Sequence, residues 1–349
     1  MNKLSTSTPR ALECTFVFCA IWAFGSSLGI GDDGTDYKLK FSDWWKSHQS
    51  AKGVAFPPRD TIFDYWLDPV SNVFEEWNKS PVFKSVTFDS KTMSMSELTV
   101  PTGESSSVAF WMNSLVANGY PVMLCGGAGQ GKTQLIAGML KDLDADQYDT
   151  LTVSMNFYTS GEALRTMLEG PMVKLSGSTF GPAGGKKMVF FVDDLNLPMV
   201  DKYNTQSGIS LIRQHMDYSH WYDIGKLNLK TVIKCQYVSA MNPTAGSFLI
   251  NPRLQRWFTA FGISAPNEAS ILTIFSTFLN GHFETYGFEK KITDLTEDII
   301  KGTLAIHNAV AGTFRKVSER SVRAFWKTSI LAMKCAKWLQ TQWLHPLLS

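Results

Sequence analysis

Short apolar runs at Tyr120–Cys125, Thr150–Met155, Met188–Val192 and Val232–Met241 read as four strands, each separated from the next by helix-compatible sequence. Strands that alternate with helices imply an α/β domain built on a mainly parallel sheet. Helical spacing also runs through Ser105–Asn118 and through Lys132–Lys141. Beyond Ala265 the strand pattern stops, and Ala269–His282 and Asp298–Phe314 keep only helical periodicity, so a small all-helical part follows. Before the strands, Pro57-Pro58, Asp68-Pro69 and several aromatic residues make Pro57–Lys84 an extended connector. The tryptophans at Trp22, Trp44, Trp45, Trp66 and Trp77 suggest that the N-terminal region packs against something large. The expected domains are 1–84 as connector, 85–265 as the α/β domain and 266–349 as the helical part.

Between the first strand and the following helix lies Gly126-Gly127-Ala128-Gly129-Gln130-Gly131-Lys132-Thr133, which fits the phosphate-loop pattern G-x-x-x-x-G-K-T in the context its mechanism requires. Glycines let backbone N–H groups turn inward around phosphates, and the helix start adds favourable partial charge. Lys132 is placed to reach the β and γ phosphates of ATP, and Thr133 to ligate Mg2+.

Such a site needs carboxylates at the end of a second strand, and Met188–Val192 runs into Asp193-Asp194. Asp193 is the metal-side candidate. Asp194 occupies the position from which a carboxylate could polarise an attacking water; aspartate is one methylene shorter than glutamate, so either turnover is slow or the site binds and gates more than it hydrolyses. The fourth strand ends at Asn242-Pro243, where the side-chain amide reaches a γ-phosphate or its water, or the pair simply makes a turn. Arg253 and Arg256, three residues apart, would share one helical face and suit a phosphate on a neighbouring subunit; a solvated surface pair is the alternative.

Composition changes little in this picture. The 33 basic and 31 acidic residues nearly cancel, so charge points to neither nucleic acid nor an anionic membrane. The five cysteines, Cys14, Cys19, Cys125, Cys235 and Cys335, are scattered and never form C-x-x-C, against a disulfide framework or zinc site. Cys14–Phe24 has the length of a signal-peptide core but is too short to span a bilayer, and a buried helix accounts for it equally well.

Longer motifs stand in a fixed order. Gly181-Pro182-Ala183-Gly184-Gly185-Lys186-Lys187 leads into MVFFVDDLNLP, followed by VDKYNTQSGISLIRQHMDYSHWYD and SAMNPTAGSFLINPRLQRWF; VFCAIWAFGSSL, FSDWWK and FPPRDTIFDYWLDP lie upstream. Over roughly residues 10–285 the sequence resembles the third AAA+ module of dynein heavy chains, of the axonemal branch. The resemblance implies a P-loop NTPase AAA+ fold, a three-layer α/β/α arrangement preceded by the end of the previous module and followed by a partial helical lid. It also implies a place in a six-module ring whose first module is the main ATPase and whose third is regulatory. By position, 126–133 would be Walker A, Asp193-Asp194 Walker B and Asn242 sensor 1. Arg253 or Arg256 would be an arginine finger acting on the second module's site.

The implied partners are the other AAA+ modules and, through the full-length protein, dynein intermediate and light chains and microtubules, with no nucleic acid and no membrane. The implied location is cytoplasm and cytoskeleton, in the axoneme of a cilium or flagellum. The chain reads as a fragment without tail, linker, stalk or microtubule-binding tip. Its end departs from the family pattern, leaving Arg320 or Arg323 as the residues that could stand in for a sensor 2 arginine. A non-catalytic nucleotide-binding structural module and a free-standing AAA+ remodelling ATPase are the competing readings.

Overall fold

The computed structural model describes residues 8–31, 33–49, 54–95, 98–243 and 249–314. Arg320, Arg323 and Cys335 lie outside the described residues. Two compact units divide the described residues: one takes those from 8 to 76 with 107–127 and 131–264, the other those of 77–106, 128–130 and 265–314.

Helix α1 (Pro9–Gly25) starts at Thr8, whose hydroxyl accepts from Ala11 N, with Pro9 in the first turn, where its missing N–H costs nothing. It buries Cys14, Val17, Phe18, Ile21 and Trp22. The apolar run at Cys14–Phe24 therefore lies on a packed helix that buries one side of it and leaves Phe16 and Phe24 exposed, and among the described residues no helix is long and apolar enough to cross a membrane. Trp22 meets Phe63 edge-on at 5.3 Å between ring centroids, and Phe18 meets Trp111 at 5.2 Å, so α1 packs within its own unit. Helix α2 (Tyr37–Gln49) follows. Within 57–84 the chain forms a short antiparallel pair, β1 (Tyr65–Leu67) with β2 (Phe74–Glu76).

Helix α3 (Gly103–Ala117) leads to β3 (Val122–Cys125), α4 (Lys132–Lys141), β4 (Tyr148–Ser154) and α5 (Gly161–Glu169). A hairpin of β5 (Met172–Ser176) and β6 (Thr179–Pro182) precedes β7 (Lys187–Asp193); α6 (Ser207–Tyr218), β8 (His220–Tyr222) and β9 (Leu229–Val232) precede β10 (Cys235–Met241), and α7 (Pro252–Gln255) precedes β11 (Thr259–Gly262). Five of these strands form one sheet in the order β11-β3-β10-β7-β4, with every neighbouring pair parallel. Parallel strands need crossover helices that cover both faces, which is why Met188–Val192 is buried at every position and reads as an unbroken apolar run. The α/β fold with a parallel sheet is the one the alternation implies.

Two features differ from the sequence reading. Val232–Met241 is not one strand: Lys234 takes a φ of +58°, which breaks the run into β9 and β10. The intervals between the parallel strands are not only helical either, because β5, β6, β9 and β8 form a second four-stranded sheet. Its two hairpins join through a short parallel pairing of Thr179–Phe180 with Thr231–Val232. Glu169 at the end of α5 accepts from the Trp221 indole at 2.7 Å and pairs with Lys230 at 3.0 Å, tying this sheet to the helix.

Beneath β10, His215 of α6 is buried with Nδ1 2.7 Å from the Tyr237 hydroxyl and Nε2 3.2 Å from the Val232 carbonyl. Burial pushes its pKa down to about 4. Because the native state then binds fewer protons than the unfolded chain, this histidine's contribution is fully present above about pH 6.5 and is lost as pH falls toward about 4. Urea unfolding is expected to show a loss of about 2 kcal/mol between about pH 7 and about pH 5, above the range where carboxylates titrate. In His215→Gln that slope should flatten.

The second unit is helical. Helix α8 (Glu268–Tyr286) is capped by Asn267, whose side chain accepts from Ser270 N, and ends at Gly287 with φ +66°, a left-handed stop suited to glycine. A short α9 (Lys290–Thr293) and α10 (Thr296–Phe314) follow. Phe275, Leu279 and Phe283 of α8 and Ile300 of α10 form one core cluster; Phe278 packs separately with Phe88 and Val100.

Candidate nucleotide site

β10 lies between β3, which leads into the phosphate loop, and β7, which ends in the carboxylates. All three strands run parallel, so Gly126, Asp193-Asp194 and Asn242 emerge at the same edge of the sheet. Backbone bonds continue past the strand ends: Gly126 N donates to Met241 O at 3.2 Å and Leu195 N to Ala240 O at 3.1 Å. The end of an open parallel sheet is where ligands of such folds are held.

Gly129 and Gly131 have φ of +80° and +83°, a left-handed backbone that glycine adopts without strain and that turns the loop into α4. Gly131 caps α4 without a side-chain hydrogen bond, so the first N–H groups of the helix carry no capping oxygen from the residue before it. Lys132, only 8% exposed, donates from Nζ to Gly126 O at 2.8 Å and to Gly127 O at 2.6 Å. Ala128, Gly129 and Gln130 complete the loop.

Across from the loop, the Thr133 hydroxyl donates to Asp193 Oδ2 at 2.9 Å, and Asp193 Oδ1 accepts from Asp194 N at 3.0 Å. Both oxygens of Asp193 are therefore fixed. Asp194 sits at φ +53°, which aspartate tolerates better than most residues. Burial, and next the neighbouring Asp193, raise its pKa above the ordinary carboxylate value, with Lys132 opposing. Asn242 follows β10, and its carbonyl accepts from the Asn196 side chain at 2.9 Å. Sequence reasoning missed Asn196. It is 2% exposed and pins the segment after Asp194 to the segment after β10, and its only signal was an amide just past the Asp pair.

The two arginines do not behave as a matched pair. α7 has only four residues, Arg256 is its cap, and the Arg256 guanidinium donates to Asp217 of α6 at 3.0 Å while lying 5.6 Å from the Trp257 ring. The Arg253 side chain has no partner among the described residues.

These residues fit a triphosphate with magnesium. A hydroxyl and a carboxylate 2.9 Å apart are hard oxygen donors of the kind Mg2+ takes, and a nearly buried ammonium beside an uncapped helix start suits phosphate oxygens. Among the described residues no group of three or more His, Cys, Asp or Glu could hold a metal ion.

The family described as "P-loop containing dynein motor region" matches residues 87–266, and that described as "Dynein heavy chain AAA lid domain" matches residues 2–79. The chain belongs to the axonemal dynein heavy chains. It is 43% identical over 308 residues to the ciliary dynein beta chain of Tripneustes gratilla, covering 88% of this chain. It is 43% identical over 303 residues to dynein axonemal heavy chain 9 of Homo sapiens, and 41% identical over 319 residues to the flagellar outer arm dynein alpha chain of Chlamydomonas reinhardtii, covering 86% and 91% of this chain. The chain spans 7% of the length of each of these relatives. The module resembled at 126–133 and 193–194 is thus an AAA+ P-loop unit of a dynein heavy chain.

Proposed function

We propose that this chain is a Mg-ATP-binding AAA+ module of an axonemal dynein heavy chain, the third of the ring, and that its nucleotide state regulates ATP-driven movement along microtubules. The observation that carries the reading is the 2.9 Å bond from Thr133 to Asp193, which brings the phosphate loop and the acidic strand end to one point. Bound magnesium would neutralise charge on the terminal phosphates there. Lys132 would leave the Gly126 and Gly127 carbonyls for phosphate oxygens; Thr133 and Asp193 would hold the metal. Asp194 would accept a proton from water, and Asn242 would orient that water or the γ-phosphate. With Arg256 engaged by Asp217, Arg253 is the better-placed arginine finger for the preceding module.

In the ring, neighbouring AAA+ modules would be the direct partners, with microtubules and the intermediate and light chains reached through the full-length protein, in the cytoskeleton of a cilium or flagellum. Placement as third module requires two AAA+ modules upstream and three downstream in the parent transcript.

A second reading, a module that holds nucleotide without hydrolysing it, draws on the short and partly desolvated Asp194. Single-turnover hydrolysis of labelled ATP separates the two. Asp194→Ala is expected to slow the chemical step by about 100-fold, whereas equal rates in the variant and the parent chain would leave binding alone as the role.

A further inference from the structure

A groove of about 540 Å³ runs between α5, α6 and β8, and none of the residues assembled at the ends of β3, β7 and β10 lines it. The two helices start in close contact: Gly161 N donates to the Ser207 hydroxyl at 2.9 Å, and a Cβ on Gly161 would lie 2.9 Å from the Ser207 carbonyl. Arg165 comes from α5; Ser210, Arg213 and Gln214 come from α6, and Tyr218 and Tyr222 also line it.

The charges here are unbalanced. Arg165 is held by donating to the Tyr222 carbonyl, which fixes the guanidinium without neutralising it. Arg213 Nε is buried without a hydrogen bond, 3.9 Å from Asp217. That carboxylate is already shared, accepting from Arg256 at 3.0 Å and from the Trp257 indole at 2.7 Å. No carboxylate lines the groove. The Ser210 hydroxyl and the Gln214 amide have no partner among the described residues. Two guanidiniums held in place beside free polar groups favour carboxylates over any neutral ligand, because charge-assisted bonds to a preorganised fork are stronger than neutral ones.

Shape selects among anions. The lining from Ser207 to Tyr218 follows three turns of α6, about 16 Å of helix, which an extended chain covers with about five residues. The tyrosines offer apolar faces for the stems of such residues. We infer that the α5–α6 groove is a docking site for an extended acidic segment of a protein partner, recognised through Arg165 and Arg213.

The test is fluorescence anisotropy of the full chain with a labelled peptide of about eight residues alternating Glu and Ser, alongside its Gln-for-Glu counterpart. The acidic peptide should bind, and raising salt from about 50 mM to about 500 mM should weaken it at least tenfold. Arg213→Gln should cost about tenfold, and Ser210→Glu, which places a carboxylate on an exposed position without removing a contact, should abolish binding with melting unchanged. Lys132→Ala should keep peptide binding, which separates this site from the nucleotide reading. Absence of binding, equal binding of the Gln peptide, indifference to both groove variants, or full displacement by millimolar inorganic phosphate would each overturn the proposal.

Discussion

Lys132→Ala is expected to lower the affinity of the folded chain for Mg-ATP by about 100-fold, since a charge-assisted bond to phosphate contributes about 1.5–3 kcal/mol and this ammonium is placed to make more than one. The side chain is nearly buried and donates to two loop carbonyls. Its truncation removes the one cation of the loop and leaves carbonyl oxygens, which repel phosphate, as the nearest polar groups. Titration with a fluorescent ATP analogue, with and without magnesium, reads the effect, and a melting curve verifies that the variant is folded. Unchanged affinity would remove the basis for treating 126–133 as a nucleotide loop.

Gly281→Ala is expected to destabilise the helical unit by about 3 kcal/mol, at the upper end of what overpacking costs. A Cβ at this position of α8 would stand 2.1 Å from the Phe88 carbonyl oxygen and 2.9 Å from its carbon, both backbone atoms. The opposing segment has little room to withdraw, because the Phe88 ring packs edge-on against Phe278 at 5.0 Å, Ser90 bonds His282 at 3.0 Å and Asp89 accepts from Thr285 at 3.2 Å. Gly302, exposed on α10 with nothing within 4 Å of its would-be Cβ, is the control. Gly302→Ala should be neutral or stabilising by up to about 1 kcal/mol. The shift in denaturation midpoint between the two variants measures the close approach; equal midpoints would mean that α8 and the Phe88 segment can part.

The parallel sheet was legible in the sequence for a physical reason. Strands buried on both faces must be apolar throughout, so Met188–Val192 and the Val122–Cys125 part of the Tyr120–Cys125 run stand out, and a run of glycines closed by Lys132 between a strand and a helix suits a phosphate loop and little else. The second sheet was not legible because β5 is largely exposed, with Val173 and Leu175 at 41% and 44%, and carries no unbroken apolar signal. The break at Lys234 was hidden as well, since a single positive φ in a lysine leaves no trace in an apolar pattern.

At the candidate site, spacing identified Asp193 and Thr133 as members but could not give the hydrogen bond between them. Asn196 escaped because its role is to brace the backbone at Asn242, a contact between segments distant in sequence. The arginine pair shows the converse limit. Three-residue spacing says that two side chains share a helical face, but Asp217, which holds Arg256, is contributed by another helix.

The small sheet continues directly into the chemistry. β6 passes into β7 through four residues and β9 into β10 through two, and the far ends of those longer strands carry Asp193 and Asn242. Because the hairpins pair at Thr179–Phe180 and Thr231–Val232, the strands that run to the acid and to the amide both set out from one small sheet. Glu169 fastens α5 to that same plate through Trp221 and Lys230.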